Sequence, residues 1–330
     1  MQPARAPLVA LRAALTAVLT AGLTVVASAH AEYPERPLTM VVPFPPGGVA
    51  DTVARPIAEA LARELKQPVV IENRGGAGGA VGIGHVARVP ADGYTLLMSL
   101  SSISILPEAD RILDRKPQYQ LSQFKPIARI TADPTVLVVR ADAPWRTVED
   151  FVADARRKPT AYNYGSSGNY GTMQVPMEML KGAAGFRMTH IPYTGAGPAI
   201  IALLGGQVDV LASGPSSVVQ HIRAGKLRAL AHWGLQPLVS LPEVPSLTER
   251  GFNVQYVQWS GIFVGAETPP AVIQRLREAV RKVAADPAVQ QTVLRAGSPI
   301  EYLDAPEFAD YWQKDVQAMA NVVKLIGRVE

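Results

Sequence analysis

The chain has 330 residues, 48% hydrophobic and 18% charged, a composition that excludes disorder and collagen-like order and gives length for two domains. A net charge of +4, without a lysine-arginine block interleaved with aromatics, argues against a nucleic-acid partner. There are no cysteines, so disulfides, thiolate metal sites, cysteine nucleophiles and a lipidated cysteine are all excluded.

Residues 1–31 read as a secretory signal peptide. Arg5 and Arg12 form a basic head, residues 13–26 are apolar and uncharged, and Ala29-His30-Ala31 offers a small-x-small cleavage site, with Ala27-Ser28-Ala29 as a competitor. The apolar run is shorter than the ~20 residues that span a bilayer, so cleavage and export are expected rather than anchoring. Losing the two arginines leaves the mature chain near neutral, at about +2. No later stretch is long and apolar enough to span a membrane. A soluble protein of the bacterial periplasm is expected, held together by its core alone.

The mature chain alternates strand and helix. Residues 38–44 predict a strand, and 50–65 an amphipathic helix with apolar residues at Val53, Ile57, Ala58, Leu61 and Leu65. Pro56 should kink that helix or mark a late start. Strands follow at 69–72 and 94–100, with a helix near 82–89 between them. Further strands are predicted at 124–130 and 135–139. A helix at 148–157 is capped by Thr147, with Asp150 three residues on. Next come a strand at 161–164, a helix near 173–183, a strand at 188–191 and a helix at 198–204. A strand at 208–212, a helix at 216–224 and a strand at 227–231 precede an extended stretch at 254–263. Helices at 270–285 and 306–326 close the chain. This alternation predicts parallel sheets with helices on both faces.

Three small-residue loops sit where strands hand over to helices, at FPPGG (44–48), YGSSGNYGT (164–172) and YTGAG (193–197). Ligands of open parallel sheets bind at such strand ends. In the first loop, Gly47 and Gly48 leave backbone open to a ligand oxygen, and the helix start offers unpaired N–H groups. Pro45 and Pro46 stiffen the loop, and Asp51 could cap the helix or bind a ligand donor. A plain strand-helix turn would have the same composition. In the second loop, Ser166, Ser167 and Thr172 supply hydroxyls and Gly165, Gly168 and Gly171 open the backbone. Donors without lysine or arginine suit a carboxylate or amide better than a polyphosphate. In the third, Tyr193 offers a ring and a hydroxyl, or is an interior aromatic. Trp259, in VQWSG, sits in a stretch that links domains or is core.

Gly82-Ile83-Gly84-His85-Val86-Ala87 matches G-x-G-x-x-A, but a glycine-rich loop separates it from the preceding strand and no acid is well placed, so dinucleotide binding is not expected. Catalysis has little support. There is no G-x-S-x-G and no H-E-x-x-H, and His85, His190, His221 and His232 are scattered without ligand spacing. Ser166 or Ser167 could be a nucleophile, but no base can be assigned.

The sequence resembles the substrate-binding receptors of tripartite tricarboxylate transporters, the Bug-type periplasmic receptors. YPERPLTMVVPFPPGGVADTVARPIAEAL, PVVIENRGGAGGAVG, ADGYTLL, YNYGSSGNYGT, HIPYTGAGPAIIALLGGQVDV, IRAGKLRALA and TPPAVIQRLREAV follow the family's order from about residue 33 to 327. The resemblance implies an α/β, periplasmic-binding-protein-like (type II) clamshell of two mixed-sheet domains joined by a hinge. The division it implies is 32–133 plus 255–330 for domain one and 134–254 for domain two. It implies a small carboxylate held in the cleft, with no cofactor, no metal and no chemistry of its own.

Carried over by position, the first pincer on the carboxylate includes Phe44, Pro46, Gly47, Gly48, Val49, Ala50 and Asp51. The second includes Ser166, Ser167, Gly168, Tyr170 and Thr172. Tyr193, Thr194, Gly195 and Ala196, with Ser101, Ser102 and Ser213, would face the rest of the ligand. The partners implied are transporter membrane subunits, docked transiently by a monomeric receptor. Departures from the family pattern are Val49-Ala50 where Ser-Thr is common, Thr194 in place of a lysine, Ser213 where an acid is common, and Tyr170 and Met173 in the second pincer. These favour an aromatic or semi-apolar acid over citrate. A ligand sensor for a signalling partner, or an exported serine hydrolase, are the alternatives.

Overall fold

The computed structural model describes residues 33–329; the predicted signal peptide lies outside the described residues. Chain order begins β1 (Leu38–Val42), α1 (Val49–Leu65), β2 (Val69–Asn73), α2 (Ala80–Val86), β3 (Thr95–Leu100), α3 (Ser102–Ile112) and β4 (Phe124–Pro134). It continues β5 (Val136–Arg140), α4 (Val148–Arg157), β6 (Asn163–Ser166), α5 (Gln174–Ala184), β7 (Thr189–Pro192), α6 (Ala196–Leu204), β8 (Val210–Ser213), α7 (Pro215–Arg223) and β9 (Leu227–His232). The chain closes with β10 (Val257–Gly265), α8 (Pro270–Ala285), α9 (Pro287–Ala296), β11 (Leu303–Asp304) and α10 (Ala305–Ile326).

The strands form two sheets, ordered β11-β4-β10-β3-β1-β2 and β7-β6-β8-β5-β9. Both obey one plan. The first parallel strand is flanked by the second and third, and then an antiparallel strand separates the third from the fourth. That antiparallel strand is β10 in one sheet and β5 in the other. Each is the strand that has just crossed from the opposite lobe. Only Thr135 separates β4 from β5, and residues 233–256 carry the chain back to β10. The expected parallel sheets are therefore mixed, because each lobe borrows a strand from a crossover.

Burial follows the apolar pattern. Leu38, Met40, Val41 and Val42 of β1 are fully buried, as a strand covered on both faces should be. The predicted inner face of α1 is buried at Val53, Ile57, Ala58, Leu61 and Leu65. Helix α1 runs without a break through Pro56. Both Thr52 and Pro56 are partly exposed, so the carbonyl that proline leaves unpaired lies near water. The capping box of α4 forms as expected: Asp150 N–H donates to Thr147 Oγ1 at 3.1 Å, and Thr147 N–H donates to Asp150 at 3.0 Å.

The sequence pattern predicts no helix at α3 or α9. In α3, Pro107 interrupts the pattern of SISILPEADRI. In α9, Asp286 caps the start by accepting Ala288 N–H at 2.8 Å and Gly297 closes the end in the left-handed region, a start and stop signal that short length concealed. Trp259 is fully buried, with its ring 5.3 Å from that of Phe308 on α10, so it belongs to the core. The G-x-G-x-x-A glycines serve packing: a methyl on Gly82 would stand 2.7 Å from Pro43 and from the Arg74 carbonyl. Among the described residues no helix is long and apolar enough to cross a membrane, and no cluster of acids and histidines could hold a metal ion.

Candidate functional site

The first loop is fastened from within. Asp51, only 3% exposed, accepts the Gly47 N–H at 3.0 Å, the Asn73 amide at 2.9 Å and two guanidinium bonds from Arg55 at 2.7 and 3.0 Å. The same Asn73 amide donates to the Phe44 carbonyl at 3.0 Å. Gly47 has φ +82°, a conformation that favours glycine. Asp51 thus holds the loop, and its oxygens are spent on that task. The N-terminal turn of α1, at Gly48 and Val49, is left on the wall of a small interlobe void. The positive end of the helix dipole lies there.

The second loop holds a directional hydrogen-bond chain. Tyr170 N–H donates to Gln174 Oε1 at 2.5 Å, which orients the amide so that its nitrogen donates to His190 Nδ1 at 3.1 Å. His190 Nε2 must then carry the proton, and it donates to Ser166 Oγ at 2.6 Å. Ser166 Oγ in turn donates to the Gly168 carbonyl at 3.2 Å and accepts the Gly168 N–H at 3.1 Å. Burial pushes the His190 imidazole down to about 4, so it is neutral near pH 7. It stacks on Tyr164 with ring centroids 4.9 Å apart. A histidine does stand beside Ser166, a neighbour the sequence did not reveal, but as a donor rather than a base.

The lobes meet through glycines. A methyl on Gly168 would stand 2.7 Å from the Gly78 nitrogen, one on Gly195 would stand 2.4 Å from Pro45 Cδ, and one on Gly197 would stand 2.7 Å from the Pro46 carbonyl. Gly48 is less crowded, with Ala196 Cβ at 3.5 Å. Inside these contacts lies the void, with about 10 Å³ of free space, room for about one water. Phe44, Gly48, Val49 and Leu100 line it from one lobe and Ser167, Thr172, Met173, Ala196 and Ser213 from the other. Gln258 of β10 completes it. Its amide donates to Thr172 Oγ1 at 2.9 Å, across the lobes, while Gln258 Oε1 and Ser167 Oγ are buried without a partner.

The structure therefore gathers Phe44, Gly48, Val49, Ser167, Thr172, Ala196 and Ser213 at one place. Gly168, Tyr170, Tyr193 and Thr194 line a separate outer cavity of about 660 Å³ that also meets Arg115 and Lys116. Pro46 and Gly47 are exposed on the loop, Ala50 is buried inside α1, and Gly195 is pressed on Pro45. Ser101 Oγ bonds the Tyr256 hydroxyl at 3.1 Å, and Ser102 Oγ is buried and unpartnered near Gly79. Ser213 Oγ bonds Ser217 Oγ at 2.9 Å. Tyr170 turns its hydroxyl away, to the Gly327 carbonyl at 2.7 Å. Sequence reasoning missed Gln258 and Leu100. Gln258 lies beside the Trp259 that drew attention, and only strand pairing reveals which of the two faces the cleft.

The model of the tripartite tricarboxylate transporter family receptor, TctC, matches residues 53–328. The solved periplasmic binding protein BugD is 30% identical, with a TM-score of 0.84 over 89% of this chain and 99% of that one. MatC from Rhodopseudomonas palustris with bound malate is 29% identical, with a TM-score of 0.81 over 88% of this chain and 99% of that one. A second R. palustris protein, with adipate, is 27% identical, with a TM-score of 0.84 over 90% of this chain and 99% of that one. The fold is the two-lobed clamshell that the motifs implied. With a family match across most of its length, the chain belongs to the tripartite tricarboxylate transporter family of receptors.

Proposed function

We propose that this chain is a periplasmic receptor, without catalytic activity, that takes a small carboxylate between its lobes and hands it to the membrane subunits of a tripartite tricarboxylate-type transporter. The observation that carries this reading is the pair of unpartnered buried oxygens, Ser167 Oγ and Gln258 Oε1, facing one void at the start of α1. Buried polar atoms without partners cost free energy, and a ligand that supplies partners recovers it. No lysine or arginine lines the void, which favours a carboxylate held by hydroxyls and a helix terminus over a polyphosphate. The apolar walls, Phe44, Val49, Leu100 and Met173, suit a hydrocarbon segment better than the third carboxylate of citrate.

A void with room for about one water cannot admit a carboxylic acid, so capture requires the lobes to part and close again. We place the lobe division at 133/134 and 254/255, where the two crossovers run. The malate and adipate held by structural relatives support aliphatic acids as the first ligands to try. The chain from His190 to Ser166 speaks against hydrolysis, since the imidazole donates a hydrogen bond to the serine hydroxyl and offers it no free lone pair to act as a base.

The test is a thermal-shift screen of the purified mature protein with malate, adipate, citrate and benzoate. A ligand that binds only the folded state raises the midpoint. A rise with malate, adipate or benzoate, abolished in Gln258→Leu, is expected. A flat screen overturns the carboxylate reading.

A further inference from the structure

Asp133 occupies the penultimate position of β4, immediately before the crossover to β5. Its partner across the antiparallel ladder is Gln258, the residue that completes the void. Directly opposed residues on antiparallel strands project to the same face, ~5 Å apart at Cβ. Two positions along, Thr131 opposes Ser260, with their hydroxyls 2.8 Å apart. A buried polar seam thus runs along the ladder from Thr131 and Ser260 to Asp133 and Gln258 at the hinge end. Asp133 is 4% exposed within it, and its Oδ2 has no hydrogen-bond partner.

A carboxylate so placed cannot stay charged cheaply, because burial removes water and no ammonium or guanidinium replaces it. The surrounding groups are identifiable. Glu301, on the segment before β11, adds a second negative charge, and the hydroxyls of Ser298 and Thr131 oppose it only in part. Arg129 on the same strand is turned to Glu301, at 3.5 Å. His232 on β9 is held neutral by burial, with its Nδ1 accepting the Gly234 N–H at 3.0 Å. The net result pushes the Asp133 carboxyl up to about 7.

The cavity beside Asp133, about 280 Å³, is walled by both lobes: Ala132 and Glu301 on one side, Trp233 and Leu238 on the other. A parting of the lobes would separate these walls. We propose that Asp133 is a proton-binding site linked to ligand capture: the closed lobes hold its carboxyl protonated, opening hydrates and ionises it, and closure on a ligand takes up one proton. This rests on the receptor reading above and gives that receptor a second ligand, the proton.

The sign follows from the two protonation states. A carboxyl titrating near 7 when closed and in the ordinary range when open binds more protons closed, so closure weakens as pH rises between those values. Affinity should fall about tenfold between pH 6 and pH 8 and then level off.

Two measurements on the mature protein test this. The first is a carboxyl-carbon NMR titration of the receptor alone and saturated with L-malate, or with adipate if malate does not bind, with the Asp133 signal assigned by its loss in Asp133→Asn. A midpoint in the ordinary carboxyl range without ligand and in the neutral range with it is expected, and the same midpoint in both overturns the proposal. The second is calorimetry with L-malate, or with adipate if malate does not bind, at pH 6, 7 and 8 in buffers of different ionisation enthalpy. Proton uptake approaching one at pH 6 and vanishing by pH 8 is expected, with neither uptake nor pH dependence in Asp133→Asn. Binding with equal uptake in both proteins overturns the linkage. Binding of neither acid overturns the carboxylate reading and the linkage with it, whereas binding with an unshifted Asp133 midpoint overturns the linkage alone.

Discussion

The Asp51 carboxylate accepts the Gly47 N–H at 3.0 Å, so the helix start and the loop before it are one rigid unit. Removing that carboxylate in Asp51→Ala strands the Gly47 N–H and one Asn73 bond. Leaving such groups unsatisfied costs about 1–3 kcal/mol. Arg55 adds little, since its side chain is 54% exposed. Urea unfolding should register this loss. Calorimetry with the best ligand of the screen should register weaker binding, because a loosened loop must be ordered again on capture. Asp51→Asn keeps an acceptor and should lose less of both. Unaltered affinity in Asp51→Ala would show that the clasp does not organise the site.

Gly195 separates closure from folding. Its φ of 172° is extended backbone open to any residue, so alanine introduces no strain there. Its methyl would meet Pro45 of the other lobe at 2.4 Å, a clash that exists only when the lobes are shut. Overpacking of this kind costs about 1–3 kcal/mol, and here the cost falls on the closed state alone. Gly195→Ala should therefore bind ligand about 5- to 150-fold more weakly with an unchanged unfolding midpoint in the absence of ligand. Gly182→Ala is the contrast. A methyl there meets nothing within 4 Å and sits on a helix, so affinity should hold while stability rises by about 0.5–1 kcal/mol. Equal affinities for the two variants would remove the glycine contacts from the closing mechanism.

These two cases mark what was legible in the sequence. The small-residue loops, the aspartate at the helix start and the Thr147–Asp150 capping box are local signals, and each formed where the residues placed it. The role of the glycines was half legible. Absence of a side chain is written in the sequence, but the atom that fills the space is Pro45 or Gly78 of the other lobe, more than 30 residues away. Gln258 was not legible, because β10 enters the first sheet between β3 and β4 only after the chain has built the second lobe. The same long return hid the Asp133–Gln258 pair, while the contact of His190 with Ser166 depends on the parallel pairing of β6 with β7.

Tyr170 joins the second loop to the end of the chain. Its hydroxyl donates to the Gly327 carbonyl at 2.7 Å and accepts the Val329 N–H at 3.0 Å, while its own backbone sits in the left-handed region at φ +54°. Tyr170→Phe keeps the ring and deletes both bonds, a loss of about 1–2 kcal/mol. Amide exchange at Val329 should accelerate, and because the loop loses its tether, ligand dissociation should accelerate with it. Normal exchange at Val329 would show that the tail is held by other contacts, such as the Arg328–Asp114 ion pair at 2.8 Å.

His190 gives the fold an acid limit that can be measured by difference. Its imidazole titrates near 4 in the folded chain because burial disfavours the cation, against about 6.5 when unfolded. Between those values the unfolded chain binds more protons, so stability falls as pH drops from about 6.5 toward 4. Protonation at Nδ1 would also break the bond from Gln174 that orients the chain to Ser166. Allowing for partial exposure, the loss is about 1–2 kcal/mol over that range. Asp133 acts with the opposite sign in the same window, since a raised carboxyl favours the folded state as pH falls. The raw stability curve therefore mixes the two, and the informative quantity is the gap between wild type and His190→Gln in urea unfolding at pH 4.5, 5.5 and 6.5. The wild type should lose ground relative to the variant at each lower pH. A constant gap would mean that His190 protonates alike in the folded and unfolded chain, and the donor role assigned to it toward Ser166 would need another source for its orientation.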